Sequence, residues 1–183
     1  MKYSLPLFCA AFLAAASVAS AQDSKKVVFD FENGLNDFGD NLEHDTTVAK
    51  NGKASAKLVA DFTQSEGHAW TITRRTLDLP GKIARISFWV KSGDASFITF
   101  RLVDSTGQVH QSRPALEPTN DWQKVEIDAF DSGRRYQHYA GDDDGQVHWP
   151  ATGIAFLIEK GSFPSDSGTI WIDDVEIVPA EGQ

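Results

Sequence analysis

The chain has 183 residues, 23% of them charged, and a formal net charge of −9. That acidity argues against a nucleic-acid partner or an anionic membrane. The single cysteine, Cys9, lies in an N-terminal leader, so the exported chain is expected to lack disulfides, thiolate catalysis and Cys-ligated zinc.

The opening stretch, MKYSLPLFCAAFLAAASVASAQ, reads as a secretory signal peptide: Lys2, an apolar run, then Ala19-Ser20-Ala21 as a cleavage site. Leu5 to Ala16 is too short a run to span a bilayer. Bulky Phe8 before Cys9 argues against a lipoprotein anchor. Residues 1–21 are therefore expected to be a signal peptide, and 22–183 one domain of a secreted or periplasmic protein. A chain of this size buries roughly 70% of its unfolded surface and needs no covalent staples.

No segment of the exported chain keeps a helical period. Short β-rich runs follow one another instead: KVVFDFE, SAKLVADF, HAWTITRRTLDL, ARISFWVKS, SFITFRLVD, QKVEIDA, TGIAFLIEK and TIWIDDVEIV. Turn signals separate them, among them KNGKAS, LPGK and SGDAS. SFITFRLVD-STG-QVHQS reads as a hairpin. Eight or nine strands with such breaks predict an all-β sandwich. Within it, Ile86, Phe88 and Val90, and likewise Ile98, Phe100 and Leu102, alternate with mixed residues and should form the inter-sheet core. Asp131 to Pro150 has no strand pattern. Two Tyr, two His and a Trp in so long a loop point to function.

The last strand carries adjacent carboxylates, Asp173 and Asp174, and the first carries Asp30 and Glu32. Neighbouring strand residues face opposite ways, so one of Asp173 and Asp174 should point inward, at a cost unless its charge is offset, and the two acidic strands would repel if adjacent. A calcium ion would offset both, since it takes carboxylate and carbonyl oxygens together. Exposed edge carboxylates, or a salt bridge to Lys or Arg, would answer equally well. GDDDG, Gly141 to Gly145, lacks the alternating ligands of an EF-hand and reads as a solvated turn.

The succession FDFENG, NGKASAKL, ISFWVKS, ITFRLVDSTG, DWQKVEI and GTIWIDDVEI resembles the galactose-binding-like carbohydrate-binding modules. It is most similar to families four, eleven and twenty-two, β-jelly rolls whose two ends are tied by calcium. The resemblance implies a non-catalytic polysaccharide binder. It also implies a structural calcium held by Glu32, the backbone carbonyl of Lys53, and Asp173. Such modules are usually fused to a glycoside hydrolase; this chain reads as one acting alone or beside a separate carbohydrate-active enzyme.

A sugar site needs aromatic platforms with planar polar groups nearby. The expected cleft gathers Trp70, Arg101, Tyr136, Tyr139 and Trp149. Trp122 and Trp171 read as structural, and Trp89 as either core cover or platform. Two rivals stand beside this reading. GQVH occurs twice, at Gly107–His110 and Gly145–His148, matching the Gln-x-His motif of jelly-roll alginate lyases, whose other signatures are absent. An extracellular matrix or interaction protein without a sugar ligand is the second. No glycosidase, serine-hydrolase or zinc constellation is recognisable.

Overall fold

The apolar alternation resolves into eleven strands and no helix among the described residues, 26–181, of a computed structural model. The expected signal peptide, with Cys9, lies outside the described residues. The strands are β1 (Val27–Phe29), β2 (Leu42–Asp45), β3 (Ser55–Asp61), β4 (Trp70–Thr76), β5 (Ile83–Ser92), β6 (Thr99–Val103), β7 (Val109–Ser112), β8 (Thr119–Ile127), β9 (Gln137–Tyr139), β10 (Gly153–Glu159) and β11 (Ser167–Pro179). They form two antiparallel sheets. One runs β2-β3-β11-β5-β8, with β1 also on β11; the other runs β4-β10-β6-β7-β9.

The sheets pack through the faces that alternation predicts. Ile86, Phe88, Val90, Ile98 and Leu102 have no exposed surface, and Phe100 has almost none. Between them Phe88 meets Phe156 edge-on at 4.7 Å, one of several aromatic contacts crossing the sandwich. β6 and β7 form the expected hairpin, Phe100 opposite Ser112 through Val103 opposite Val109.

Two strands escape the sequence pattern, β2 and β9. Both are outermost in their sheets, and neither LEHD nor QHY alternates. An edge strand with little apolar surface gives no period-2 signal. The expectation that Asp131–Pro150 holds no strand is thus corrected: Gln137–Tyr139 pairs with β7 inside it.

β11 carries the ends of the fold. Its first half pairs with β3 and its second with β1, Val27 lying opposite Ile177. A register shift falls between Asp173 and Glu176, and Asp174 has a φ of 45°. This is a β-bulge. It lets Ile172 and Val175, three apart, both reach the core, so neither acidic side chain has to enter it.

Candidate carbohydrate-binding face

The outer face of the five-stranded sheet is set by its register. Arg74, Ala155, Arg101, Gln111 and Gln137 lie in one row across β4, β10, β6, β7 and β9. Thr76, Gly153, Val103, Val109 and Tyr139 form the row at one side, and Ile72, Leu157 and Thr99 begin the row at the other. Trp70 lies one row further, opposite Glu159. β10, between β4 and β6, offers only Gly153, Ala155 and Leu157 to these three rows, with Glu159 beyond them, so the face is low along β10 and long side chains stand on either side. Ile72, Ala155 and Leu157 make a small apolar cluster of their own, separate from the main core. They form the floor of a trough.

Two aromatics stand clear of it. Trp70 is 50% exposed and Tyr139 39%, at diagonally opposite corners. By strand spacing and rise they are roughly 25–30 Å apart, room for several sugar residues. Arg101 lies between them. Its Nε donates to Gln111 Oε1 at 2.6 Å, and its guanidinium faces the Tyr139 ring at 5.6 Å. Burial lowers the Arg101 pKa, and burial raises that of the Tyr139 hydroxyl, which stays protonated at neutral pH. Gln111 Nε2 donates to Gln137 Oε1 at 3.2 Å, which also accepts from Arg113. Arg113 grips buried Glu159 through two nitrogens, at 2.9 and 3.1 Å. Near Trp70 the trough opens into a hollow of about 480 Å³ bordered by His68, Phe97, Arg113, Arg135, Glu159 and Lys160, among others.

Of the expected cleft residues, Trp70, Arg101 and Tyr139 share this face, Tyr136 lines the hollow beside it, and Trp149 lies elsewhere. Tyr136 turns its hydroxyl inward to His110 Nδ1, 2.8 Å away, and its ring stacks near His110 and His138. Trp149 packs edge-on against Phe130 at 5.7 Å, over the main core. Both side chains also brace the loop against the rest of the domain. Arg74, Gln111, Arg113, Gln137 and Glu159 were not anticipated. Alternation from Trp70 and from Arg101 marks Arg74 and Thr99 as same-face neighbours, but strand pairing is needed to bring in the rest.

The repeated GQVH has a different use. His110 Nε2 and His148 Nδ1 both reach Asp104 Oδ2, at 3.4 and 3.3 Å. Asp104 is fully buried, and its Oδ1 accepts from the Thr106 and Gln108 backbone. Despite burial, these donors hold its pKa well below the usual carboxylate range. Gln108 spans to the Gln146 carbonyl at 2.8 Å and receives the Gly145 amide at 3.0 Å. The two motifs interlock and pin the 131–150 loop to the β6–β7 turn. Neither histidine opens onto the trough as a base.

On the other sheet, Asp173 lies opposite Trp89 on the outer side yet has no exposed surface. The turn Lys50–Ala54 roofs it. Lys50 N donates to its Oδ2 at 2.7 Å, and Asp174 N to its Oδ1 at 2.8 Å. Lys53 N and Ala54 N donate to Glu32 Oε1 at 2.8 and 3.1 Å, so both carboxylates converge on one turn. Gly52 takes a φ of +66°, which favours glycine, and a Cβ there would displace the Glu32 carboxylate. No Lys or Arg comes within 4.0 Å of Asp173 among the described residues, and burial raises its pKa. Neither an exposed carboxylate nor a salt bridge accounts for Asp173. Both carboxylates accept backbone amides of this turn, and among the described residues no three His, Cys, Asp or Glu side chains converge to hold a metal, so a calcium here would depend on backbone carbonyls and water for most of its oxygens. Trp89 lies under the Lys50 ammonium at 4.3 Å and serves this roof.

No family model matches the chain, and a search of curated proteins finds no match. Solved structures do match. A family 11 carbohydrate-binding module from Clostridium thermocellum, in complex with a β-1,3-1,4-mixed-linked tetrasaccharide, superposes with a TM-score of 0.59 at 18% identity, covering 86% of this chain and 98% of that one. The C-terminal family 22 module of Clostridium thermocellum Xyn10B gives 0.51 at 16%, over 87% and 96%. An exo-β-agarase gives 0.55 at 15%, with 87% of this chain covering 26% of that one. The chain has the jelly-roll sandwich of carbohydrate-binding modules, resembling families 11 and 22.

Proposed function

We propose that this is an exported, non-catalytic polysaccharide-binding protein whose ligand lies along the trough of the five-stranded sheet. The observation that carries the reading is the pair of exposed aromatics, Trp70 and Tyr139, at the two ends of a polar, low-floored face. Aromatic rings offer sugar C–H faces a desolvated platform, and the Gln111–Gln137–Arg101 network presents donors and acceptors to hydroxyls. The structural neighbours whose ligand is named bind oligosaccharides or xylan. Against the lyase reading, His110 is buried and both GQVH histidines contact Asp104 where they join the loop to the β6–β7 turn. A glycan-array screen of residues 22–183 tests the proposal: retention of at least one polysaccharide, lost in Trp70→Ala, supports it. No retained glycan would favour the matrix or interaction role.

The same proposal includes a structural calcium held by Glu32, Asp173 and the Lys53 carbonyl. Its chemistry is charge neutralisation. The support is the Asp173 carboxylate, buried with no Lys or Arg side chain in ion-pair distance among the described residues, and Glu32, which meets the same β2–β3 turn.

A further inference from the structure

We propose, building on the polysaccharide reading above, that the ligand is anionic: a glycan bearing carboxylate or sulfate groups, bound by Arg101 and the cations around it. The chain as a whole is strongly acidic, at −9. A surface patch chosen at random on it would be negative. The trough and its hollow instead carry Arg74, Arg101, Arg113, Arg135 and Lys160. The carboxylates facing these groups are Glu159, taken by Arg113; Asp40, paired with Arg74 at 2.9 Å; and Asp166, 3.8 Å from Lys160. Tyr139 stays neutral there.

Arg101 and Arg135 have no carboxylate within ion-pair distance among the described residues. Arg135 rests on the Phe97 ring at 5.6 Å. Arg101 is half-buried at the centre of the face, held by Gln111 through Nε alone, and its two terminal nitrogens meet no acceptor among the described residues. A partly desolvated guanidinium without a counterion is unfavourable in the free protein. An oxyanion on the ligand removes that cost and fits the guanidinium fork. Neutral sugar hydroxyls need no net charge; Gln111 and Gln137 already supply amides in the same row. Arg74 and Arg101 sit two strands apart in that row, roughly 10 Å between backbones. A polymer with repeating anions would meet both.

The test uses residues 22–183 in isothermal titration with matched polymers: polygalacturonate against its methyl ester, and a sulfated galactan against its desulfated form. The expected result is binding of at least one charged polymer about tenfold tighter than its neutral counterpart, the worth of one charge-assisted contact. That preference should shrink as salt rises. Arg101→Gln, and Arg135→Gln as a variant at an exposed position, should remove the preference while leaving the melting temperature unchanged. Which charged polymer is preferred separates carboxylate from sulfate. Equal, salt-insensitive binding of the neutral polymers, lost in Trp70→Ala but not in Arg101→Gln, would overturn the anionic ligand and leave the polysaccharide reading standing. Failure of every polymer to bind, here and on the array, would overturn both.

Discussion

The two outer faces of this sandwich are built from similar residue types and end in opposite states. On the six-stranded sheet Lys57 pairs with Glu43 at 2.9 Å and Lys26 with Glu176 at 2.8 Å between neighbouring segments, and Lys124 with Glu126 at 2.7 Å along β8. Trp171 donates its indole N–H to Asp45, and Trp89 lies beneath Lys50. These lysines have acidic partners and both indoles are engaged by protein groups, while the Ser87 hydroxyl is buried without a hydrogen bond among the described residues. On the five-stranded sheet Trp70 and Tyr139 are open and Arg101 lacks a counterion. Surface ion pairs contribute little to stability, so those on one face mark it as finished rather than strong. The other face leaves Trp70, Tyr139 and the terminal nitrogens of Arg101 open to the proposed ligand.

Chelation gives the sharpest contrast. Calcium at Glu32 and Asp173 would act on stability through the six-stranded sheet and leave the trough untouched. An ion at a thousandfold excess over its Kd adds about 4 kcal/mol, so chelator should lower the melting temperature by several degrees. Glycan affinity below that temperature should not change. Asp173→Asn should abolish the chelator response. A pH profile checks the sign. Without calcium, folded Asp173 binds its proton more tightly than the unfolded chain does, so stability should rise as pH falls from that raised value toward 3.8. Asp45, lowered to about 2 chiefly by the Thr47 hydroxyl and the Trp171 indole, acts with the opposite sign: its contribution is present above 3.8 and lost as pH falls toward 2. Calcium should erase the first effect and spare the second. A metal-free protein that melts where the loaded one does would remove the ion from the account.

Trp149→Ala should cost on the order of 2 kcal/mol of stability, below the range for a fully buried Trp because Trp149 is only half-buried. Glycan affinity of the folded fraction should be unchanged. Weaker affinity with an unaltered melting point would return Trp149 to the ligand site. Trp70→Ala should do the reverse, losing about 1–3 kcal/mol of binding, by analogy with base stacking on aromatics, with no change in melting temperature. Lys57→Ala, on the finished face, should shift stability by no more than about 0.5 kcal/mol and affinity not at all. A larger affinity change there would mean that both faces touch ligand.

What could be read from the sequence follows the same division. The core was legible because Ile86, Phe88 and Val90 alternate on a long strand, and period-2 burial is a local property. Trp70 and Arg101 were legible as polar-face residues of strands. The surroundings of Tyr136 and Trp149 were not legible, because an aromatic in a loop looks the same in sequence whether it borders a hollow or packs on the core. Asp104 decides the matter, since both GQVH histidines bind it from segments 38 residues apart, and no local pattern links them. The bulge in IDDVEI did leave a trace: Ile172 and Val175, both apolar and three apart, break the alternation at the acidic pair.

The central claim is that ligand occupies the outer face of the five-stranded sheet. Amide and indole NMR shifts, followed during titration with an oligosaccharide of any polymer the protein retains, test it most directly. The account predicts shifts confined to β4, β6, β7, β9 and β10, with the Trp70 indole among the largest and the Trp171 indole unmoved. Shifts centred instead on β3, β5 and β11, or on the Gly141–Gly145 turn, with Trp70 unchanged, would contradict it.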